Sequence, residues 1–184
     1  MRDMYDVLKV ACGYLDERGI DYAIVGGLAV IAMGRFRTTG DAEFIIQMDV
    51  DDALDFAAHL RRNGFSIGER DITSAFREKS HATAIEKESL LRLDIKGVYD
   101  EMARDTLRTR RPVELKGVKV YVAAPESIIA AKLLYGSEQD LDDAAAVYIC
   151  QKGELDERYL EKACGRAGVA KELAKLRRRL KREL

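Results

Sequence analysis

Two stretches of this chain set carboxylates where apolar strands begin or alternate. In residues 41–46, DAEFII, Asp41 and Glu43 flank Ala42 at the head of an apolar run. In residues 91–96, LRLDIK, the apolar Leu91, Leu93 and Ile95 alternate with Arg92, Asp94 and Lys96. Residues two apart in a strand share a face, so Asp41 and Glu43 point one way while Ala42, Phe44 and Ile46 point the other. A carboxylate beside a core is costly unless a cation, hydrogen bonds or water compensate it. If the two strands are neighbours, Asp41, Glu43 and Asp94 stand together on a face free of helices. Three hard oxygen donors there suit Mg²⁺, which keeps water and phosphate in its remaining positions. The plainer reading makes Asp94 a member of a solvated, ion-paired strand and Asp41 the close of the turn at Gly40.

Upstream, Gly26-Gly27 joins an apolar strand, Tyr22 to Val25, to a helix expected from about Leu28 to Met33. Glycines there let a backbone approach a ligand closely, and a helix N-terminus offers unpaired N–H groups to an anion such as phosphate. A tight strand-to-helix turn would use the same two residues. Arg35 and Arg37, with Thr38 and Thr39, precede the acids and either meet phosphate or base, or cap and solvate a loop.

The elements that must position these residues follow from periodicity. Met4, Val7, Leu8, Ala11, Cys12 and Leu15 recur at helical spacing, with Gly19 as the stop. A strand is expected at Glu43–Gln47, then a helix from Asp49 or Asp51 to Asn63-Gly64. Residues 65–78 read as a strand and an irregular connection. Ala82–Ile85 and Leu91–Ile95 read as paired strands, Tyr99–Thr109 as a helix, and Val113–Leu115 with Val118–Val122 as a hairpin. From Pro125, a favourable first helical residue, only helices follow, at about 125–135, 141–151, 157–164 and 171–184. The expected layout is α+β: a small mixed β-sheet with helices on one face over residues 1–122, then a helical domain over residues 123–184.

Composition narrows the class. Of 184 residues, 47% are apolar and 34% charged, enough for a closed core and a wetted surface. A net charge of −1 argues against a body built for nonspecific nucleic-acid binding. The last fourteen residues nonetheless hold seven Lys/Arg against two Glu, around a stripe of Leu173, Leu176, Leu180 and Leu184. That stripe reads as a packed helix with a basic face, or as a surface for RNA or an acidic partner. Cys12, Cys150 and Cys164 are far apart and form no CxxC pair, so the expected setting is a reducing cytoplasm without disulfide or zinc. No apolar run approaches the roughly 20 residues of a membrane span, and the start does not read as a signal peptide.

In order, G-G at 26–27, G-R-F-R-T-T at 34–39 and D-A-E at 41–43 resemble the signature of the minimal nucleotidyltransferases of the DNA-polymerase-β-like superfamily. The run VKVYVAAPESIIAAKLL at 118–134, followed by Asp140 and Asp143, is similar to the strand, Pro-Glu helix with Lys and Asp-x-x-Asp helix of AbiEii-type proteins. The resemblance covers about residues 20–150. It implies the nucleotidyltransferase fold, with Asp41, Glu43 and Asp94 as catalytic metal ligands for Mg²⁺. It implies that Gly26 and Gly27 hold the triphosphate of an NTP, with Arg37 and Lys132 as further nucleotide-binding cations; Lys132 read alone is equally a surface lysine. Asp94 would also help deprotonate an attacking hydroxyl on RNA, a protein or a small molecule. Toxin–antitoxin membership with a partner protein is a further implication, as is the alternative of an inactive nucleotide- or RNA-binding protein. The chain departs from the pattern at Gly27, where serine is usual, and at Glu43, where aspartate is commoner. Asp140 fits a helix cap, Asp143 a tie to a lysine or arginine of the sheet domain, and Tyr135 and Tyr148 packing with an exposed hydroxyl. His59 reads as a helix-surface residue, and His81 receives no role.

Overall fold

The computed structural model describes residues 1–183. Helix α1 (Met4–Glu17) leads through Gly19 to strand β1 (Tyr22–Val25), which runs directly into helix α2 (Gly26–Ala32). Then come β2 (Asp41–Ile46), α3 (Val50–Arg62), β3 (Phe65–Ser66), α4 (Glu69–Arg77), β4 (His81–Glu86) and β5 (Arg92–Gly97). Helix α5 (Glu101–Thr109) precedes the hairpin β6 (Arg111–Leu115) and β7 (Val118–Val122), and the chain continues as α6 (Pro125–Tyr135), α7 (Glu138–Cys150), α8 (Glu157–Arg166) and α9 (Ala170–Glu183). Side-chain caps explain several starts. Asp3 accepts from the N–H groups of Tyr5 and Asp6 at α1, Asp49 from Asp52 at α3, and Asp100 from Ala103 at α5.

The strands form one mixed sheet in the order β3-β4-β5-β2-β1-β7-β6. At its centre β1 is antiparallel to β2, and β2 is parallel to β5. A parallel pair needs a crossover, which α3, β3, α4 and β4 supply. Alternation along β2 sends Ala42, Phe44 and Ile46 into the main core, where they meet α1, α3 and α4 through Leu8, Phe56 and Ile72. On the opposite face Ala23 and Ile45 are covered by Ala103 and Leu107 of α5. Helix α5 therefore covers part of the acid-bearing face, at Ala23 and Ile45. The main core also runs on through Ile129 of α6, Val147 of α7, Leu160 of α8, and Leu173, Leu176 and Leu180 of α9. Leu184, expected on the same stripe, lies outside the described residues.

Residues 69–77, expected to be irregular, form helix α4. Its β-branched Ile72 and Thr73 weaken the local helical signal. The helix is stabilised by burying Ile72 and Ala75, and its acids Glu69 and Asp71 sit favourably in the first turn. Strand β2 begins at Asp41, two residues before its expected start, and so includes both acids. No helix among the described residues is long and apolar enough to cross a membrane.

Candidate active site

The register of three strands places the acids. Glu43 of β2 stands opposite Asp94 of β5, and Asp94 in turn stands opposite Thr83 of β4. Asp41 lies one step along β2 from Glu43 on the same face, opposite Arg92. Each aspartate is oriented by a neighbour. The Thr39 hydroxyl donates to Asp41 Oδ1 at 2.5 Å, the Arg92 guanidinium reaches Asp41 Oδ2 at 3.3 Å, and the Thr83 hydroxyl donates to Asp94 Oδ1 at 2.6 Å. Glu43 and Asp94 are thus neighbours on adjacent strands, and Asp41 lies further along the same face, paired to Arg92.

Glu43 is tucked beneath the glycine turn. Gly26 has φ +63°, the left-handed region, and a Cβ built on it would lie 1.2 Å from Glu43 Oε2. Both facts demand glycine there, one for backbone conformation and one for space. Gly27 directs its N–H toward the Glu43 carboxylate, and a Cβ on Gly27 would sit 3.1 Å from Arg37 Nη2 and from Thr39 Oγ1. The turn is therefore tight and also closely walled by the Arg37 and Thr39 side chains. Burial, then the negative charge of Asp41, push the Glu43 carboxyl above its usual range; Lys132 opposes that and Asp94 adds to it.

A second charge cluster faces the first. Asp143 of α7 is fully buried and holds three cations: Arg35, Arg37 at 2.7 Å and Lys132 at 3.0 Å. Lys132 also donates to Asp140 at 2.8 Å. Burial disfavours the Lys132 ammonium, but the hydrogen bonds and charges of Asp140 and Asp143 outweigh it and raise its pKa. Lys132 is thus a nearly buried member of a network rather than a surface lysine. Arg35 and Arg37 turn inward together because they are two apart in an extended segment, which leaves Phe36 fully exposed between them. The expected tie from Asp143 to a lysine or arginine of the sheet segment is made by Arg35 and Arg37. Asp140 does not cap α7. Ser137 does, and Asp140 completes the capping box from the third position.

Between these clusters runs a cleft of about 330 Å³. One end is lined by Gly26, Lys132, Asp140 and Tyr135, the middle by Glu43 and Asp94, and the far end by His81, Lys96, Asp100 and Met102. Its walls are the sheet on one side and helices α5 and α6 on the other. Tyr135, expected to be packed, is 72% exposed at the rim, because Gly136 in the left-handed region (φ +70°) ends α6 directly after it. His81, which carried no expectation, lies in the cleft. His59, expected on a helix surface, stacks on Tyr14 with ring centroids 4.5 Å apart.

Thr39, read from sequence as a phosphate contact or a loop cap, instead donates to Asp41. Thr83 is the partner that sequence reading left out, and it is brought to Asp94 by strand pairing alone. Among the described residues, no three His, Cys, Asp or Glu side chains converge as a ready metal cage. The donor set nevertheless has the chemistry of a hard-cation site. Its ligand atoms are all carboxylate oxygens on neighbouring strands, and Asp41 and Asp94 both raise the proton affinity of Glu43. A cation would relieve that mutual repulsion.

No protein-family model and no curated protein matches the chain. Solved structures do. An antigenic nucleotidyltransferase-like protein from Paracoccidioides brasiliensis is 21% identical, with a TM-score of 0.60 over 93% of this chain and 90% of that one. The structure of ANT(2'')-Ia in complex with adenylyl-2''-tobramycin gives a TM-score of 0.62 at 14% identity, over 88% of this chain and 95% of that one. The lincosamide antibiotic adenylyltransferase LnuA, lincomycin-bound, gives 0.54 at 16% identity, over 79% and 96%. At these identities the likeness is one of fold, and the fold is that of nucleotidyltransferases.

Proposed function

We propose that this chain is a Mg²⁺-dependent nucleotidyltransferase that moves a nucleoside monophosphate from an NTP to a hydroxyl. The observation that carries the reading is the placement of Asp41, Glu43 and Asp94 on paired strands beneath a glycine turn that has no room for a side chain. In this reading the Gly26–Gly27 turn and the start of α2 bind the triphosphate, with Arg37 and Lys132 as cations beside it. Asp41, Glu43 and Asp94 would hold the metal, which when bound would supply positive charge against the phosphate oxygens.

The acceptor oxygen bonds to the α-phosphorus while the bond from that phosphorus to the pyrophosphate oxygen breaks. Asp94 Oδ2, the oxygen that Thr83 leaves free, takes the hydroxyl proton. Arg37 and Lys132 are already oriented by Asp143, so the phosphate meets preset charges. Residues 1–122 supply the catalytic face and residues 123–184, through α6, the opposite wall. A cytoplasmic setting, an AbiEii-type relationship and a toxin–antitoxin role with a partner protein extend the same proposal.

Melting curves test it. A ligand at a hundredfold its Kd stabilises by about 2.7 kcal/mol, and about 2–4 °C per kcal/mol for a chain of this size gives a rise of about 5–10 °C. Mg²⁺ and NTP together should produce that rise in the wild type, each alone less, and Asp41→Asn should abolish it. No rise with any of the four nucleotides refutes the reading. A second reading, binding without transfer, is favoured by the aspartates being oriented by Thr39, Arg92 and Thr83 rather than converging on a point. It predicts the same rise without pyrophosphate release when cell extract supplies acceptors.

A further inference from the structure

The far end of the cleft carries a cation that the donor site does not use. Lys96 follows Asp94 by two residues on β5 and so shares its face, roughly 6–7 Å further along the strand. Its cross-strand partner is His81, the first residue of β4. Both line the cleft, opposite Met102, Ala103 and Thr106 of α5.

Lys96 differs from the other cations near the acids. Lys132 is held by Asp140 and Asp143, Arg37 by Asp143, and Arg92 by Asp41. Among the described residues Lys96 makes no hydrogen bond and no ion pair, although it is half-buried. Its ammonium is therefore uncommitted within the cleft, and an incoming anion would find a cation there that no carboxylate already holds. Asp100 also lines this end, but its Oδ1 accepts the Ala103 N–H at 2.7 Å as the cap of α5.

We propose that the acceptor is a small hydroxyl compound bearing a phosphate or carboxylate, with that anionic group on Lys96 and His81 and its hydroxyl at Asp94. This rests on the transferase reading above. The roughly 6–7 Å between Lys96 and Asp94 along the strand matches an anion and a hydroxyl separated by a few bonds. The α5 and α6 walls close the cleft around about 330 Å³, the scale of a small-ligand site and not of a nucleic-acid groove.

The full chain contains two histidines, His59 and His81, so their ring signals in NMR spectra are readily separated. His59, stacked on Tyr14, serves as the internal control. Glycerol 3-phosphate and malate test phosphate and carboxylate as the source of the anion, glycerol is the neutral control, and a short single-stranded RNA is the macromolecular arm. We expect a saturable shift of His81 with at least one of the two anions and none with glycerol. In Lys96→Gln the affinity should fall at least tenfold, while Mg²⁺–NTP should still raise the melting temperature of that variant.

The proposal is overturned if neither anion moves His81, if Lys96→Gln binds as tightly as wild type, or if the RNA moves His81 at far lower concentration than either small anion. It is also overturned if Mg²⁺–ATP displaces the anion competitively, which would assign Lys96 to the donor. A missing melting rise with Mg²⁺–NTP, whatever His81 does, strikes the transferase reading instead, so the two failures are distinct.

Discussion

Replacing Gly26 by alanine separates the two reasons for glycine at the turn. The first is conformational. At φ +63° an L-residue pays about 1–2 kcal/mol for the left-handed region. With about 2–4 °C of melting temperature per kcal/mol at this chain length, Gly26→Ala should melt about 2–8 °C below wild type. The second reason is spatial and should barely affect stability. The atom that the new methyl would strike is Glu43 Oε2, at 1.2 Å, the far end of a side chain that can swing aside. Swinging aside removes Glu43 from the Gly27 N–H and from its place beside Asp94.

The structure thus predicts a folded protein, modestly destabilised, in which the rise with Mg²⁺–NTP is lost almost as fully as in Asp41→Asn. Glu43→Gln supplies the comparison. It leaves the glycine turn intact and removes one of three like charges, so its ligand-free melting temperature should equal or exceed that of wild type while its ligand response falls. Differential scanning fluorimetry of the four proteins, each with and without Mg²⁺ and NTP, reads all of this. If Gly26→Ala melts with the wild type, or keeps the full ligand response, the argument that the turn is built around Glu43 is wrong.

Other perturbations have equally definite expectations. Asp143→Asn leaves Arg35, Arg37 and Lys132 around a buried neutral amide; breaking a buried pair costs about 3–5 kcal/mol, so urea unfolding should shift by that amount and melting by about 10 °C. Burial alone would raise the Asp105 pKa, but hydrogen bonds from Arg108 and Tyr159, with the charges of Arg108 and Arg166, outweigh it and lower the pKa. The stability from Asp105 is therefore present above the unfolded carboxyl value of about 4 and lost as pH falls through its lower folded value, so Asp105→Asn should flatten the acid limb of a urea-midpoint profile. In α9, Arg177 already engages Glu157 and Glu161. Replacing Arg177, Arg178 and Arg179 with Gln should cost no more than about 1 kcal/mol and leave RNA affinity, measured at two salt concentrations, unchanged. A loss with a flattened salt slope would instead make that face an RNA surface.

Period-two alternation made the acid strands legible. Once Ala42, Phe44 and Ile46 are assigned to a core, Asp41 and Glu43 can only face away from it, and the same logic fixes Asp94. Pro125 and the helix stop at Gly19 were equally plain, because Pro and Gly act locally. What stayed hidden depended on packing between distant segments. Helix α4 has too few apolar residues to declare a period, and becomes a helix through the surface it buries on α3 and β4. The meeting of Arg35 and Arg37 with Asp143 spans more than a hundred residues, so the Arg-x-Arg spacing is compatible with solvent until α7 is placed. Thr83 becomes a partner of Asp94 only through a register that no local feature of either strand specifies.

The distribution of cations explains why one end of the cleft can suit a nucleotide and the other a smaller anion. Near the glycine turn Arg35, Arg37 and Lys132 are balanced by Asp140 and Asp143, leaving a net single positive charge that is rigidly held. Asp143 is wholly enclosed and cannot turn toward solvent, so it fixes these side chains without competing for the mouth of the site. A highly charged ligand needs the rest of its neutralisation from a metal, which is where the three carboxylates lie. Beyond Asp94 the balance differs, because among the described residues Lys96 forms no ion pair and the one carboxylate lining that end with it, Asp100, caps α5. A singly or doubly charged group suffices there. The same strand that offers a carboxylate at Asp94 and an ammonium at Lys96, on one face, can therefore hold the two ends of one small molecule.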